Sequence, residues 1–303
     1  MRSIPNGVYP TMITPYTDDN KIDFPAVERL LNWYHENHIT GVFAVCQSSE
    51  MWFLNFEERL ELMKFIVDHK PAGMTVVASG HTAEALDRQV YESNAFIDTG
   101  VDAYVFISNR FATPEESDDI LLKNLDYVVS RIPEVGLGIY ECPYPYKRLL
   151  TPYVLKKLAE SGRFQFLKDT CCDPAQIKEK LDAVRGSNLK VFNANAATLL
   201  ETLEMGCAGF SGIMANFFPD LCVELCNCFE ANPDRAKKLQ DFIGFSSMAE
   251  GQAYPINAKY FLQLEGLGMG LHSRSQNAGN FNINVRECTK EMRNTGILLR
   301  NYL

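Results

Sequence analysis

Apolar and polar positions along this chain repeat one theme eight times. A short, nearly continuous apolar run is followed by a stretch whose apolar residues return every three or four positions. The runs are Gly7–Pro15, Gly41–Cys46, Met74–Gly80, Ala103–Ser108, Gly138–Cys142, Phe164–Thr170, Leu189–Asn193 and Gly209–Met214. Runs of this length, apolar on both faces, predict strands of a parallel sheet covered by helices. Asp23 followed by Pro25 predicts the first helix, with Val27, Leu30, Leu31 and Tyr34 as its buried stripe. Further helices are predicted from about Glu57 to His69, through Ala95, and after Pro114.

Eight strand–helix units of roughly thirty residues close naturally into a (β/α)₈ TIM barrel. A doubly wound open sheet is the competing arrangement, but no Gly-x-Gly-x-x-Gly follows the first run. Three more helical stretches, Asp234–Met248, Pro255–Leu267 and Phe281–Tyr302, predict a C-terminal helical extension. The reading is a barrel over residues 1–232 with residues 233–303 packed on it as part of one structural domain.

Composition narrows the function classes. The 303 residues are 46% hydrophobic with a formal net charge of −9, which argues against a nucleic-acid partner. No run is long enough to span a membrane, and the first six residues, Met1 to Asn6, lack the apolar core of a signal peptide. Nine cysteines, an odd count without disulfide spacing, point to a reducing cytoplasm. Cys222, Cys226 and Cys228 lack a nearby histidine and read as free thiols. Of five histidines, only His81 directly follows a strand, which is a poor basis for a metal site.

The chemistry gathers on Lys168. It sits in an apolar and aromatic strand, sharing a face with Phe166 and Thr170. Desolvation lowers an amine's pKa from about 10.4, and a neutral amine attacks a ketone to form a Schiff base. The competing reading is a strand-end lysine that reaches water. Tyr140 ends the neighbouring strand, and a phenol beside an ammonium is expected to have its pKa lowered enough to move protons. Barrel sites collect at the C-terminal strand ends, so these residues and Gln47-Ser48-Ser49-Glu50 after the second strand converge on one mouth.

These stretches resemble the dihydrodipicolinate synthase/N-acetylneuraminate lyase superfamily. The segments concerned are Gly7–Pro15, Gly41–Arg59, Ile139–Pro143 and Phe166–Thr170, with Met205–Gly209 and Tyr254-Pro255. The resemblance implies a (β/α)₈ homotetramer without cofactor or metal. Such a protein binds pyruvate or another 2-oxo acid as a Schiff base, then makes or breaks a carbon–carbon bond with an aldehyde. It makes Lys168 the Schiff-base residue and Tyr140 the proton shuttle; the candidate substrate-binding residues are Gln47, Ser48 and Ser211, together with Arg110, which the resemblance does not supply.

The departures from the family pattern are specific. Gln47 stands where a relay hydroxyl is usual, and Phe111 stands where a relay tyrosine is usual. Arg110 is a new cation, either a carboxylate clamp or an exposed loop charge. Glu141 replaces a frequent Asn, and Lys147 or Arg148 takes the region of the synthases' substrate arginine. Strand seven ends Ala194-Asn195 without the lyases' acids. The function expected is a class I aldolase or lyase, its second substrate open and a sugar acid favoured. The alternatives are dihydrodipicolinate synthase proper, a 2-oxo sugar-acid dehydratase, a metal-dependent barrel enzyme and a non-catalytic barrel that binds a 2-oxo acid.

Overall fold

The computed structural model describes residues 3–302. Met1, Arg2 and Leu303 lie outside the described residues, so the reading of the first six residues is met only from Ser3 onward. Eight parallel strands alternate with helices: β1 Gly7–Val8, α1 Phe24–Glu36, β2 Gly41–Ala44, α2 Phe56–His69, β3 Thr75–Ala78, α3 Leu86–Ile97, β4 Ala103–Ile107 and α4 Asp118–Val129. The series continues with β5 Gly136–Tyr140, α5 Pro152–Glu160, β6 Phe164–Asp169, α6 Pro174–Val184, β7 Lys190–Asn193, α7 Leu199–Glu204, β8 Gly209–Phe210 and α8 Pro219–Cys228. Three further helices follow, α9 Pro233–Ser246, α10 Ile256–Leu264 and α11 Ile283–Tyr302.

The ladder runs β1-β8-β7-β6-β5-β4-β3-β2. A single bridge between Thr11 and Phe43 joins its two ends, with Phe43 N donating to Pro10 O at 2.9 Å and Met12 N to Phe43 O at 3.0 Å. The fold is therefore the expected (β/α)₈ barrel. Its first and last strands are shorter than the apolar pattern predicts. Pro10 and Pro15 carry no N–H and break the ladder along the first run. At the seam, Gly209 (φ +152°) lies so close to β1 that a Cβ there would sit 1.9 Å from Gly7 O.

The first helix begins as expected, with the Asp23 carboxylate accepting from Ala26 N at 3.0 Å and Pro25 in the first turn. Val27, Leu30, Leu31 and Tyr34 are all buried. Inside the barrel, aromatic rings fill the axis. Phe166 and Phe192 stack at 4.5 Å, and Tyr9 and Phe43 meet Phe166 edge-on at 5.4 and 5.9 Å. This layer is a dry floor under the C-terminal mouth.

The C-terminal helices are fastened to the barrel by specific contacts. Gln240 on α9 accepts from Leu200 N and donates to Ala196 O and Ala197 O in the loop after β7. Gly296 on α11 packs against Phe218, where a Cβ would come within 2.4 Å of the ring. That docking carries the segment between α9 and α10 back over the mouth. No helix among the described residues is long and apolar enough to cross a membrane.

Candidate active site

Lys168 is the fifth residue of β6, its Cα in register with Tyr140 on β5 and Phe192 on β7. The side chain points inward over the aromatic floor. Its Nζ lies 4.3 Å from the Tyr140 ring centroid and 5.5 Å from that of Phe43. Three lysines in the described residues are buried: Lys168, Lys180 and Lys259. Lys180 is paired with Glu141 and Asp169, and Lys259 with Glu50. Lys168 has no ion-pair partner and opens instead into a cavity of about 470 Å³ at the barrel mouth. Burial holds its pKa below the ordinary lysine value, against a weaker opposing pull from Cys46, Cys142 and Glu250.

Tyr140 lines the same cavity, its hydroxyl 3.5 Å from Gln47 Oε1. The expectation of a lowered phenol pKa is corrected here. Burial, followed by the neighbouring Cys142 and Cys46 thiols, holds it well above 10. Desolvation of the phenolate outweighs the nearby amine, which is itself pushed toward neutrality. At neutral pH, Tyr140 is therefore a hydrogen-bond donor, not a base.

Residues Gln47–Ser49 form a 3₁₀ turn directly after β2. Gln47 and Ser48 line the cavity, and the N–H groups that open such a turn have no partner within it. Ser48 Oγ donates to Thr11 Oγ1 at 3.1 Å. The turn is locked from behind. Thr14 Oγ1 donates to Ser49 O, and Ser49 Oγ to Met12 O. Glu50, in the left-handed region at φ 59°, points its carboxylate away from the cavity. Its Oε1 accepts from Ser273 Oγ, Arg274 N, Ser275 N and Ser275 Oγ at 2.7–2.8 Å. The loop after β2 and the segment after α10 are thus held as one unit.

The remaining candidates are sorted by the structure. Arg110 does not line the cavity. Its guanidinium is 5.0 Å from the Trp52 ring, bonded to Asn109 Oδ1, and the side chain is only 5% exposed. It is not an exposed loop charge: it stands outside the cavity lining against Trp52, with Nη1 3.7 Å from the Glu84 carboxylate. Ser211 is buried, its N–H donating to Asn193 O and its Oγ without a partner; Gly212 and Ile213 beyond it reach the cavity. Phe111 packs into a core cluster with Phe106 and His81. Of the two cations after β5, Lys147 lines the cavity and donates to Thr170 O at 2.8 Å, whereas Arg148 turns away to Asp118. Glu141 and Asp169 point outward, as strand alternation requires, and share Lys180 from α6.

His81 does not reach the mouth. It is buried among Tyr104, Phe106 and Phe111, and its Nε2 accepts from Ile107 N at 2.7 Å. Burial, with help from Arg110 and Arg59, pushes its pKa down to about 3. A base with a lowered folded pKa stabilises the fold above its unfolded value and loses that contribution as pH falls. Wild-type thermal stability should therefore fall between about pH 6.5 and 3. His81→Gln, which keeps an acceptor for Ile107, should lose up to roughly 4 kcal/mol less over that range. Thermal melts of both proteins across the range measure the difference.

Two cavity residues could not be assigned a role from local pattern. Glu250 and Tyr254 come from the segment between α9 and α10. Tyr254 OH accepts from Asn216 Nδ2, which ties it to Thr11 O and hence to the Ser48 turn. Tyr254-Pro255 is visible in the sequence as a helix start. Glu250 carried no signal, because only docking of the extension brings it to the mouth.

A model of the dihydrodipicolinate synthetase family matches residues 4–276 of the chain. A 4-hydroxy-tetrahydrodipicolinate synthase from Pseudoalteromonas atlantica is 24% identical over 294 residues, covering 96% of this chain and 99% of that protein. Among solved structures, the Ruminococcus gnavus sialic acid aldolase matches with a TM-score of 0.87 at 18% identity, over 98% of each chain. A prophage protein of the dihydrodipicolinic acid synthase family from E. coli K12, solved in complex with pyruvate, gives 0.85 at 20% identity. It covers 95% of this chain and 98% of its own. At these identities the structural matches establish the barrel and its extension as a shared fold.

Proposed function

This chain belongs to the dihydrodipicolinate synthetase family, and from that premise we propose a class I aldolase or lyase in which Lys168 forms a Schiff base with pyruvate or another 2-oxo acid. The observation that carries the reading is the state of Lys168. It is a buried lysine without a carboxylate partner, opening into the cavity beside Tyr140. Burial favours the neutral amine, which attacks the 2-oxo carbon. The resulting carbinolamine must lose its hydroxyl as water. Tyr140, kept protonated, supplies that proton and is restored by one from solvent at the open mouth, so it is a donor again before the enamine forms; hydrolysis of the imine runs these transfers in reverse. The imine draws electrons from C3, and the enamine that follows adds to an aldehyde; cleavage is the reverse.

The substrate carboxylate is assigned to the Gln47–Ser49 turn, whose leading N–H groups and Ser48 hydroxyl suit an anion without needing a side-chain cation. The pyruvate complex of the E. coli K12 relative supports a 2-oxo acid as the ligand here. Borohydride with pyruvate, read by peptide mass spectrometry, tests the proposal. A reduced adduct on Lys168 is expected. The absence of any adduct with pyruvate and other 2-oxo acids would overturn it.

Lys147 supports an anionic second substrate, such as an aldehyde bearing a carboxylate, because its ammonium lines the cavity while Arg148 is engaged elsewhere. A charge-assisted contact is worth about 1.5–3 kcal/mol. Lys147→Met should therefore raise KM for such an aldehyde by about 10-fold or more while leaving the pyruvate adduct intact. Unchanged KM would remove Lys147 from the second subsite.

A further inference from the structure

Glu250 is a carboxylate that no structural role accounts for. It lies in the 3₁₀ turn Ser247–Gly251 and lines the same cavity as Lys168, and its Oε1 is buried without a hydrogen-bond partner. The other buried carboxylates near the mouth are saturated. Glu50 has four donors on one oxygen, and Glu141 holds Lys180 and two backbone N–H groups. The backbone around Glu250 is fixed, with Asn257 Nδ2 and Gln252 N both donating to Ala249 O. A rigidly presented, unpartnered acid in a cavity is costly to keep, and such groups concentrate where protons move.

The Schiff-base cycle needs such a group. Forming the enamine removes a proton from C3, and adding an aldehyde delivers a proton to the new alkoxide. Gln47 cannot carry a proton readily, Phe111 has no hydroxyl and is buried elsewhere, and Tyr140 is held as a donor. We infer that Glu250 is the general base and acid of this cavity, taking the C3 proton of the Lys168-bound imine and returning it to the aldehyde oxygen. This rests on the Schiff-base reading above.

The step balances. The Glu250 carboxylate accepts the C3 proton, the C–H pair becomes the C2=C3 bond, and the imine π pair moves onto nitrogen. The enamine C3 then bonds to the aldehyde carbon, the carbonyl π pair goes to its oxygen, and that oxygen takes the proton from Glu250. The nitrogen pair re-forms the imine, which water hydrolyses. Burial also pushes the Glu250 carboxyl up to about 7, opposed by Lys168, so it can both take and give a proton near neutrality.

The titratable groups facing Glu250 are Lys168 on β6, Cys172 after it, Cys222 on α8 and Tyr254 before α10. Burial raises both thiols and the phenol, so they stay protonated near pH 7. At saturating pyruvate, Lys168 is held as imine and no longer titrates as a free amine. The pH dependence of the next step should then report Glu250.

Exchange of pyruvate methyl protons with deuterium oxide, followed by NMR, isolates that step without a second substrate. Wild-type protein should exchange at a rate that rises with pH through about 7. Glu250→Gln should still give the borohydride adduct on Lys168, with a thermal midpoint no lower than wild type. Its exchange should be about 10²-fold slower or more, and without that pH limb. An adduct in both proteins with equal exchange would overturn the role of Glu250 while leaving the Schiff base standing. Loss of exchange with a fallen thermal midpoint and no adduct in the variant would also overturn it, because the residue would then be structural. No adduct in the wild type would overturn the underlying reading and this inference with it.

Discussion

Lys168→Ala is expected to abolish the reducible pyruvate adduct and to lower turnover by roughly four orders of magnitude or more, since the covalent step has no substitute nucleophile. The other buried lysines cannot stand in. Lys180 lies on the outer side of β5 and β6, and Lys259 is held by Glu50 and by His272 O. The same substitution should leave thermal stability unchanged or raise it. Lys168 is desolvated with no salt bridge and only a weaker pull from Glu250 to offset the cost, so its removal relieves the fold of an unfavourable group. Activity assays, peptide mass spectrometry after borohydride and a thermal melt together check the claim. Full turnover in the variant would sink the Schiff-base reading, and a large loss of stability would show that Lys168 holds the barrel together.

Lys180→Met should do the opposite, damaging the fold first. Lys180 Nζ lies 2.5 Å from both Glu141 Oε1 and Asp169 Oδ2, and the three side chains are 0–3% exposed. Glu141 follows Tyr140 and Asp169 follows Lys168, each on the outer face of its strand. One ammonium therefore ties together the two strands that carry Tyr140 and Lys168. Removing it leaves two buried carboxylates facing each other, a loss of about 3–5 kcal/mol. That corresponds to a fall in Tm of roughly 6–20 °C. The pH dependence has a definite sign. Burial, and after it the neighbouring Asp169, already push Glu141 up to about 7 in the wild type. Without Lys180, which pulls it down, Glu141 has a folded pKa still further above its unfolded one. Its contribution is then kept at low pH and lost as pH rises. The variant should come closest to wild-type stability near pH 5 and fall furthest below it near pH 8. A uniform deficit across that range would contradict the ion-pair account. Lys180 itself, raised by its two partners, stays charged throughout.

The sequence alone was enough for the barrel. A regular alternation of buried runs and amphipathic helices leaves few topologies, and all eight strands and the three late helices lie where the apolar pattern puts them. The limits of β1 and β8 were misread, because their apolar runs continue past the last ladder bonds into proline-broken or turning backbone. The placement of Lys168 and Tyr140 was legible for a local reason. Strand alternation fixes which face each occupies, and adjacent parallel strands in register bring their ends together.

Electrostatic state was not legible. In sequence, Lys168, Lys180 and Lys259 are three lysines, and nothing local separates a free amine from two locked ammonium groups. The partners of the locked pair come from distant elements, Glu141 from β5 and Glu50 from after β2. Tyr140 was misjudged for the same reason, because the cost of burying a phenolate depends on a surrounding layer that several strands build together. Arg110 looked available for a carboxylate until Trp52, more than fifty residues earlier, covered it. Glu250 lay outside every motif. Local pattern and strand geometry determined the fold and the inward placement of Lys168, since periodicity and alternation act between near neighbours. Tertiary structure alone decided which charges are paired, which phenol keeps its proton and which acid reaches the mouth, because desolvation and ion pairing depend on everything folded around a group.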